Sequence, residues 1–272
     1  MRVCTVRAFE GGGASFSYAT GFIVDGERGI GLTNRHVFGS GPTTCDAVFV
    51  STKEEVVCHV LYVDPVHDFA FFRIDPSRLR HTELSSLPLH PAGAQVGVEI
   101  RVVGNDSGEK LSILSGTISR LDRAAPTYAG YFSDVNIFYI LSASSTSGGS
   151  SGSPVLALGK GEFEGMAQVV ALNAGGHTKS ASAYFVPLER ATRALVFLQR
   201  GIMPWRGEVQ LVARQKAFDE VRRLGVKEET ERSVRKVFDS GTGMLTITTV
   251  VPQGPCDRRL RPGDVIVGVN RR

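Results

Sequence analysis

Residues 20–38 read TGFIVDGERGIGLTNRHVF. Two short runs, GFIV and GIGLT, flank Asp25, Gly26 and Gly29, so DGERG reads as the connection of a β-hairpin. The same texture continues on both sides. VCTVRAF (3–9) precedes it, and AVFV (47–50), EVVCHVLYVD (55–64), DFAFFRID (68–75), VEIRVVG (98–104) and KLSILSGTISRL (110–121) follow. IFYILSA (137–143), SPVLAL (153–158), AQVVALN (167–173) and SAYFVP (182–187) complete a series of short strands across nearly two hundred residues. A parallel α/β fold needs helices between its strands, and none separate these. Paired β-barrels or a large sandwich are the architectures left.

The first convincing helix is PLERATRALVFLQRG (187–201), with Pro187 in its first turn, Leu188, Ala191, Leu195 and Leu198 on one face, and Gly201 as its stop. A domain boundary is expected near 200–206. Beyond it the texture changes. AFDEVRRLGVKEETERSVRKVF (217–238) looks helical and charged, GMLTITTVVPQGP (243–255) reads as a strand and turn, and LRPGDVIVGVN (260–270) places a strand after a Pro-Gly-Asp turn.

The chain has 272 residues, 42% hydrophobic and 21% charged, enough for a sizeable core and far from disorder. Its net charge of +4 is mild, and no basic stripe with interleaved aromatics marks a nucleic-acid surface. No run approaches membrane-spanning length, and MRVCTVRAFEGGG lacks the apolar core of a signal peptide, which points to an intracellular chain or a true N-terminus lying upstream. The four cysteines, Cys4, Cys45, Cys58 and Cys256, form no metal-ligand spacing and lean toward a reducing compartment, with a Cys45–Cys58 bridge left open.

Chemistry concentrates in three places. His36 follows the GIGLT run, Asp68 stands at the entrance of a strand, and Ser151 lies between Gly149 and Gly152 in SSTSGGSSGS (144–153). Taken singly, each has an ordinary reading as a surface histidine, a turn aspartate and a linker serine. Together they make a mechanism. A serine hydroxyl needs a base to remove its proton, and the base needs a carboxylate to hold its tautomer. Glycines beside the serine let backbone N–H groups face a developing oxyanion. The chain order His, Asp, Ser is that of the double-barrel serine proteases.

These motifs, ATGFIVD with GIGLTNRHV, DPVHDFAFFRID, and GGSSGSPV with VVALNAGG, resemble the HtrA/Deg branch of chymotrypsin-like serine proteases. VGNDSGEKLSILSGTISRLDR with SGGSSGSPV resembles, more narrowly, the large eukaryotic members: the fungal nuclear pro-apoptotic type and its plant Deg counterpart. The resemblance implies a mainly β fold of two six-stranded antiparallel barrels over 1–200, a linker at 201–206 and an incomplete PDZ-like α+β domain over 207–272. It makes His36 the general base, Asp68 its orienting carboxylate and Ser151 the nucleophile, with the N–H groups of Gly149 and Ser151 as oxyanion hole. Ala171, Leu172, Asn173, Ala174 and Gly175 would pair with the substrate backbone and line the specificity pocket.

No acidic residue lies between Leu141 and Ser151, so cleavage after small or medium apolar residues is expected. Ser150 and Ser153 depart from the commonest signature of the branch, which has Asn and Gly there, and Gln210 stands where a PDZ carboxylate loop would have glycine. The implied activity is ATP-independent endopeptidase action on misfolded or regulatory proteins, without cofactor or metal. Its partners would be unfolded or extended polypeptides and a peptide ligand at the tail, not nucleic acid or membrane; a homo-oligomer stays open. Nucleus or cytoplasm is implied by the fungal likeness and chloroplast by the plant one. The alternative is a catalytically silent chaperone or peptide-binding module on the same fold.

Overall fold

The structure, a computed structural model, describes residues 1–10, 13–39, 43–105, 111–127, 134–144, 149–159, 164–177, 182–238 and 241–269. The chain divides into two units, Met1–Pro204 and Trp205–Arg272.

The larger unit is built from two antiparallel sheets. The first contains β1 (Arg2–Glu10), β2 (Gly13–Thr20), β3 (Phe22–Asp25), β4 (Ile30–Thr33), β5 (Thr43–Val48), β6 (Glu55–Val63) and β7 (Ala70–Ile74), in the order β2-β1-β5-β6-β7-β4-β3. The second contains β8 (Glu99–Gly104), β9 (Ser112–Ala124), β10 (Phe138–Ser142), β11 (Pro154–Leu158), β12 (Ala167–His177) and β13 (Ser182–Pro187), closed into a barrel in the order β10-β13-β12-β11-β8-β9. Of the two six-stranded barrels expected, one is therefore present in that form, and the other is a seven-stranded sheet with β2 and β3 at its edges. Those two strands follow one another around a corner at Gly21, so they are successive pieces of one bent path rather than neighbours able to pair.

The hairpin expected around DGERG is β3 and β4, in antiparallel register with Phe22 opposite Leu32 and Ile23 opposite Gly31. Every residue in both strands is buried, which explains why they read as continuous apolar runs instead of alternating. Ile23 points into the first sheet's core, with Val3, Val37, Phe72 and Ile74. Phe22, Val24, Ile30 and Leu32 point the other way, into a shared core with Phe69, Phe71, Tyr139, Leu172 and Val186. At Gly31 any Cβ would strike the Phe72 ring, so glycine is required for that ring to fit. A third cluster, including Ile100, Val102, Val155 and Phe185, fills the closed barrel. Each buried aliphatic or aromatic side chain contributes about 1.5–3 kcal/mol, so the shared core binds the two sheets firmly.

Among the described residues this unit has two α-helices. Helix α1 (Arg35–Phe38) follows β4, and α2 (Glu189–Gln199) follows β13. Pro187, expected in the first turn of α2, instead ends β13 opposite Ala171, and Leu188 becomes the cap. A proline suits the last ladder position because little pairing is lost with its N–H. The expected face is buried, with Ala194 added to Leu188, Ala191, Leu195 and Leu198. The Asp25 carboxylate joins the hairpin to the end of α2: it accepts from Arg28 N at 3.0 Å, Arg28 Nη1 at 3.1 Å and Gln199 Nε2 at 2.9 Å. Burial pushes its pKa up, but these donors outweigh burial and leave it below its ordinary value.

Cys45 and Cys58 face each other across β5 and β6, yet both are free thiols, with Cys45 Sγ donating to the Cys58 carbonyl at 2.8 Å. The hydrogen bond with Cys45 and burial hold the Cys58 thiol well above its ordinary pKa.

The smaller unit pairs β14 (Leu211–Ala217) with β15 (Gly243–Val250) and carries α3 (Phe218–Arg223) and α4 (Glu228–Val237). The single helical stretch expected over 217–238 is broken at Gly225, whose φ of 98° is left-handed. The strand expected within 260–270 reduces to one bridge, Thr246 to Val265, flanked by hydrogen bonds from Ile247 N to Asp264 O and Ile266 N to Leu245 O; residue 270 lies outside the described residues. Phe218, Val221 and Met244 form its core. Gln210 adopts φ 55°, the conformation glycine takes freely, at a strain of about 1–2 kcal/mol for another residue. Among the described residues no helix is long and apolar enough to cross a membrane.

Candidate active site

His36 sits on α1, one turn beyond the end of β4, and Asp68 in the turn between β6 and β7. The Asp68 carboxylate is fully buried and meets His36 with both oxygens: Oδ1 accepts from His36 N at 3.0 Å and lies 3.0 Å from Nδ1, and Oδ2 lies 2.8 Å from Nδ1. An ionised carboxylate only accepts, so Nδ1 carries a proton, and in the neutral ring Nε2 then presents a lone pair. The ring is 28% exposed, open enough to reach a substrate.

The turn holding Asp68 is itself fastened at many points. Asn34 Nδ2 donates to Asp68 O at 3.0 Å, and Asp64 Oδ1 accepts from Val66 N at 2.9 Å and His67 N at 2.6 Å. From the connection between β9 and β10, Asp134 Oδ2 accepts from Asp68 N at 2.9 Å and from Tyr139 OH at 2.7 Å, while Oδ1 lies 3.3 Å from Arg35 Nη2. Burial raises the Asp134 carboxyl above its ordinary pKa, opposed by the Tyr139 hydroxyl, the Asp68 N–H and the Arg35 guanidinium.

Ser151 lies in a turn whose left-handed positions are Gly149, φ 93°, and Gly152, φ 81°. At Gly152 a Cβ would strike the Thr20 carbonyl oxygen and the Thr33 hydroxyl, so the turn lies directly against the β2–β3 corner and the end of β4. Thr20 grips it on both sides of the nucleophile: Thr20 N donates to Ser151 O at 2.8 Å, and Thr20 Oγ1 donates to Gly149 O at 3.0 Å. Thr33 Oγ1 donates to Thr20 O at 2.8 Å, which joins the turn to the strand leading into His36.

The structure thus brings His36 and Asp68 into direct contact and ties Ser151 to them through main chain and threonine hydroxyls. Ser153 departs from the common signature without strain, since it is not among the left-handed residues. Its Oγ donates to Ser150 O at 2.6 Å, a bond glycine could not make. Gly104 provides the room, because a Cβ there would collide with that hydroxyl. Residues 145–148 of the serine-glycine stretch lie outside the described residues.

Of the stretch expected to meet substrate, Ala171, Leu172 and Asn173 are fully buried and Ala174 is nearly so. Asn173 Nδ2 turns inward to Ser150 O at 2.8 Å, while Asn173 O accepts from Gly152 N and Asn173 N donates to Ser153 O, both at 2.9 Å. Asn173 thus braces the serine turn, while the Leu172 and Ala174 side chains pack in the shared core and that of Ala171 in the barrel core. What the stretch offers outward is main chain from Ala174 to Gly176, where β11 no longer pairs with β12.

Thr20, Thr33, Asn34, Arg35, Asp134 and Tyr139 carry no signal in the sequence, because most act on backbone atoms, and Ser153 stands out there only as a departure from the common signature. Among the described residues no group of three or more His, Cys, Asp or Glu could hold a metal ion.

Comparison with known proteins agrees with this geometry. Residues 19–166 match the trypsin-like peptidase domain. The chain is 52% identical over 284 residues to Protease Do-like 7 of Arabidopsis thaliana, covering 99% of this chain and 25% of that protein. It is 48% identical over 271 residues to the pro-apoptotic serine protease NMA111 of Pyricularia oryzae, covering 99% and 26%. It therefore spans about a quarter of the length of these curated relatives. The fold resembles that of the HtrA-type protease AlgW with a tripeptide, at a TM-score of 0.67 and 20% identity, over 99% of this chain and 79% of that one. In sequence and in fold, the chain belongs to the trypsin-like peptidase family.

Proposed function

We propose that this chain carries the working centre of an HtrA/Deg-type serine endopeptidase. Residues 1–200 would be the protease domain, its open sheet serving as the first barrel, and 207–272 a PDZ-like module able to add a peptide to a sheet edge. The observation that carries the reading is the buried Asp68 carboxylate 2.8 Å from Nδ1 of a partly exposed His36 ring.

In this mechanism the substrate lies extended along the main chain of Ala174–Gly176. Ser151 Oγ attacks the scissile carbonyl carbon as His36 Nε2 takes the hydroxyl proton, and Asp68 stabilises the resulting imidazolium. The N–H groups of Gly149 and Ser151 hold the oxyanion. As the C–N bond breaks, His36 returns the proton to the leaving amine and an acyl ester remains on Ser151. Water, deprotonated by His36, then hydrolyses the ester and restores the serine. The absence of an acidic residue between Leu141 and Ser151 supports small or medium apolar side chains at the cleaved position.

The test is digestion of fluorescently labelled casein by the protein and by Ser151→Ala and His36→Ala. Cleavage by the parent alone is expected. Equal cleavage by Ser151→Ala would refute the assignment, and no cleavage by any of the three would favour the silent peptide-binding alternative.

A further inference from the structure

Asp68 is gripped at its N–H, its carbonyl and both carboxylate oxygens. Three of these grips come from Asn34 and His36, which follow β4 of the first sheet, the sheet whose β6–β7 turn carries Asp68. The fourth comes from Asp134, in the connection between β9 and β10 of the barrel that also carries Ser151. We propose that Asp134 is a positioning residue for the reaction: a second buried carboxylate that reaches across the interface and fixes Asp68, and through it His36, relative to the nucleophile's barrel.

The inference rests on the triad reading above. Its chemistry is specific. A carboxylate needed only to neutralise Arg35 would have no reason to take the N–H of Asp68, yet Oδ2 takes that N–H at 2.9 Å and leaves Oδ1 to Arg35 at 3.3 Å. Tyr139, fully buried, adds its hydroxyl to the same Oδ2. Arg35 adjoins His36, so the Asp134–Arg35 pair places balanced charges beside the base. The other charged or titratable groups around this network are Asp64, His67 and Tyr62 on the first sheet's side, and Arg190, bonded to Asn136 O at 3.1 Å, on the other. None of these replaces the bond to Asp68 N.

The test is the rate at which a fluorophosphonate labels Ser151 as a function of pH, together with the far-downfield proton signal of His36 Nδ1–H. The proteins are the parent chain, Asp134→Asn, Tyr139→Phe, Leu195→Ala and Ser151→Ala. Asp134→Asn should label about tenfold more slowly or worse at neutral pH, the scale expected when a catalytic group is misplaced. Its acid limb should move to lower pH, because losing the negative charge beside Arg35 disfavours the protonated His36 ring. The Nδ1 proton signal should shift or broaden.

Tyr139→Phe should slow labelling by a smaller factor and keep the charge, and it serves as the deciding variant if Asp134→Asn does not fold. Leu195→Ala, which loosens the shared core away from Asp68, should melt earlier but keep the parent's acid limb and proton signal. A parent-like rate and acid limb in Asp134→Asn, or a parent-like rate in Tyr139→Phe where the former does not fold, overturns the proposal. So does a Leu195→Ala profile matching that of Asp134→Asn. If Ser151→Ala labels like the parent, the triad reading itself fails and takes the proposal with it.

Discussion

His36 and Asp68 meet through side-chain atoms, at 2.8 Å between ring nitrogen and carboxylate, whereas Ser151 is held through the carbonyls and N–H groups of its own turn. The first side needs particular residue types, because only a carboxylate can orient an imidazole in this way. The second needs particular backbone shapes, left-handed at 149 and 152, and a partner such as Thr20 that offers donors at the right places. One half of the site is thus a matter of chemistry and the other of conformation, and substitutions should separate them.

The largest effect is expected on the chemical side. Asp68→Asn preserves shape but favours the wrong ring tautomer, and should reduce turnover by about 10⁴-fold with little change in KM. Turnover within tenfold of the parent would remove the distinction. Next comes Gly152→Ala, which forces a Cβ against Thr20 and Thr33 in a left-handed turn. It should reduce turnover by about 10²-fold and stability by about 1–3 kcal/mol, read by steady-state kinetics and denaturant melts. Parent-like values in both would show that the turn tolerates another shape.

Thr20→Val sharpens the comparison further, since it removes the hydroxyl bound to Gly149 O but keeps the N–H bound to Ser151 O. A loss of about 1–3 kcal/mol in kcat/KM is expected, with no shift of the acid limb, because no charge changes. A shifted limb would mean that the two sides are not separable.

The smallest effect lies outside the site, at Asp25. Its carboxyl is held below the ordinary value, so it contributes stability at neutral pH that is lost as pH falls through its folded titration. Asp25→Asn should therefore cost about 1 kcal/mol at neutral pH, leave turnover unchanged, and differ less and less from the parent as the solution is acidified below the carboxylate range. A difference that grows on acidification would contradict that sign.

The same division governs what could be read in advance. The hairpin at 20–38, the closed barrel and the buried face of α2 follow from apolar runs and turn residues. His36, Asp68 and Ser151 stood out because their side-chain types form a known chemical set in a known order. Thr20 and Asp134 did not, since each bonds to main chain, and any residue type supplies a main-chain partner; Ser153 stood out as a departure, but not for its bond to Ser150 O. Pro187 and the stretch 217–238 show the matching limit for helices: helical spacing marks the face, while the strand that Pro187 ends and the left-handed Gly225 decide the boundaries. Asn173 sat in the expected substrate stretch, but its amide faces Ser150, a direction that no spacing in the sequence encodes.

The most direct test of the central claim is to react the protein with diisopropyl fluorophosphate and locate the adduct by peptide mass spectrometry. A single phosphoryl ester on Ser151, absent from Ser150 and Ser153 and lost in His36→Ala, is the result expected from a hydroxyl activated by this imidazole. An adduct on either neighbouring serine, or one on Ser151 that forms equally fast without His36, would contradict it.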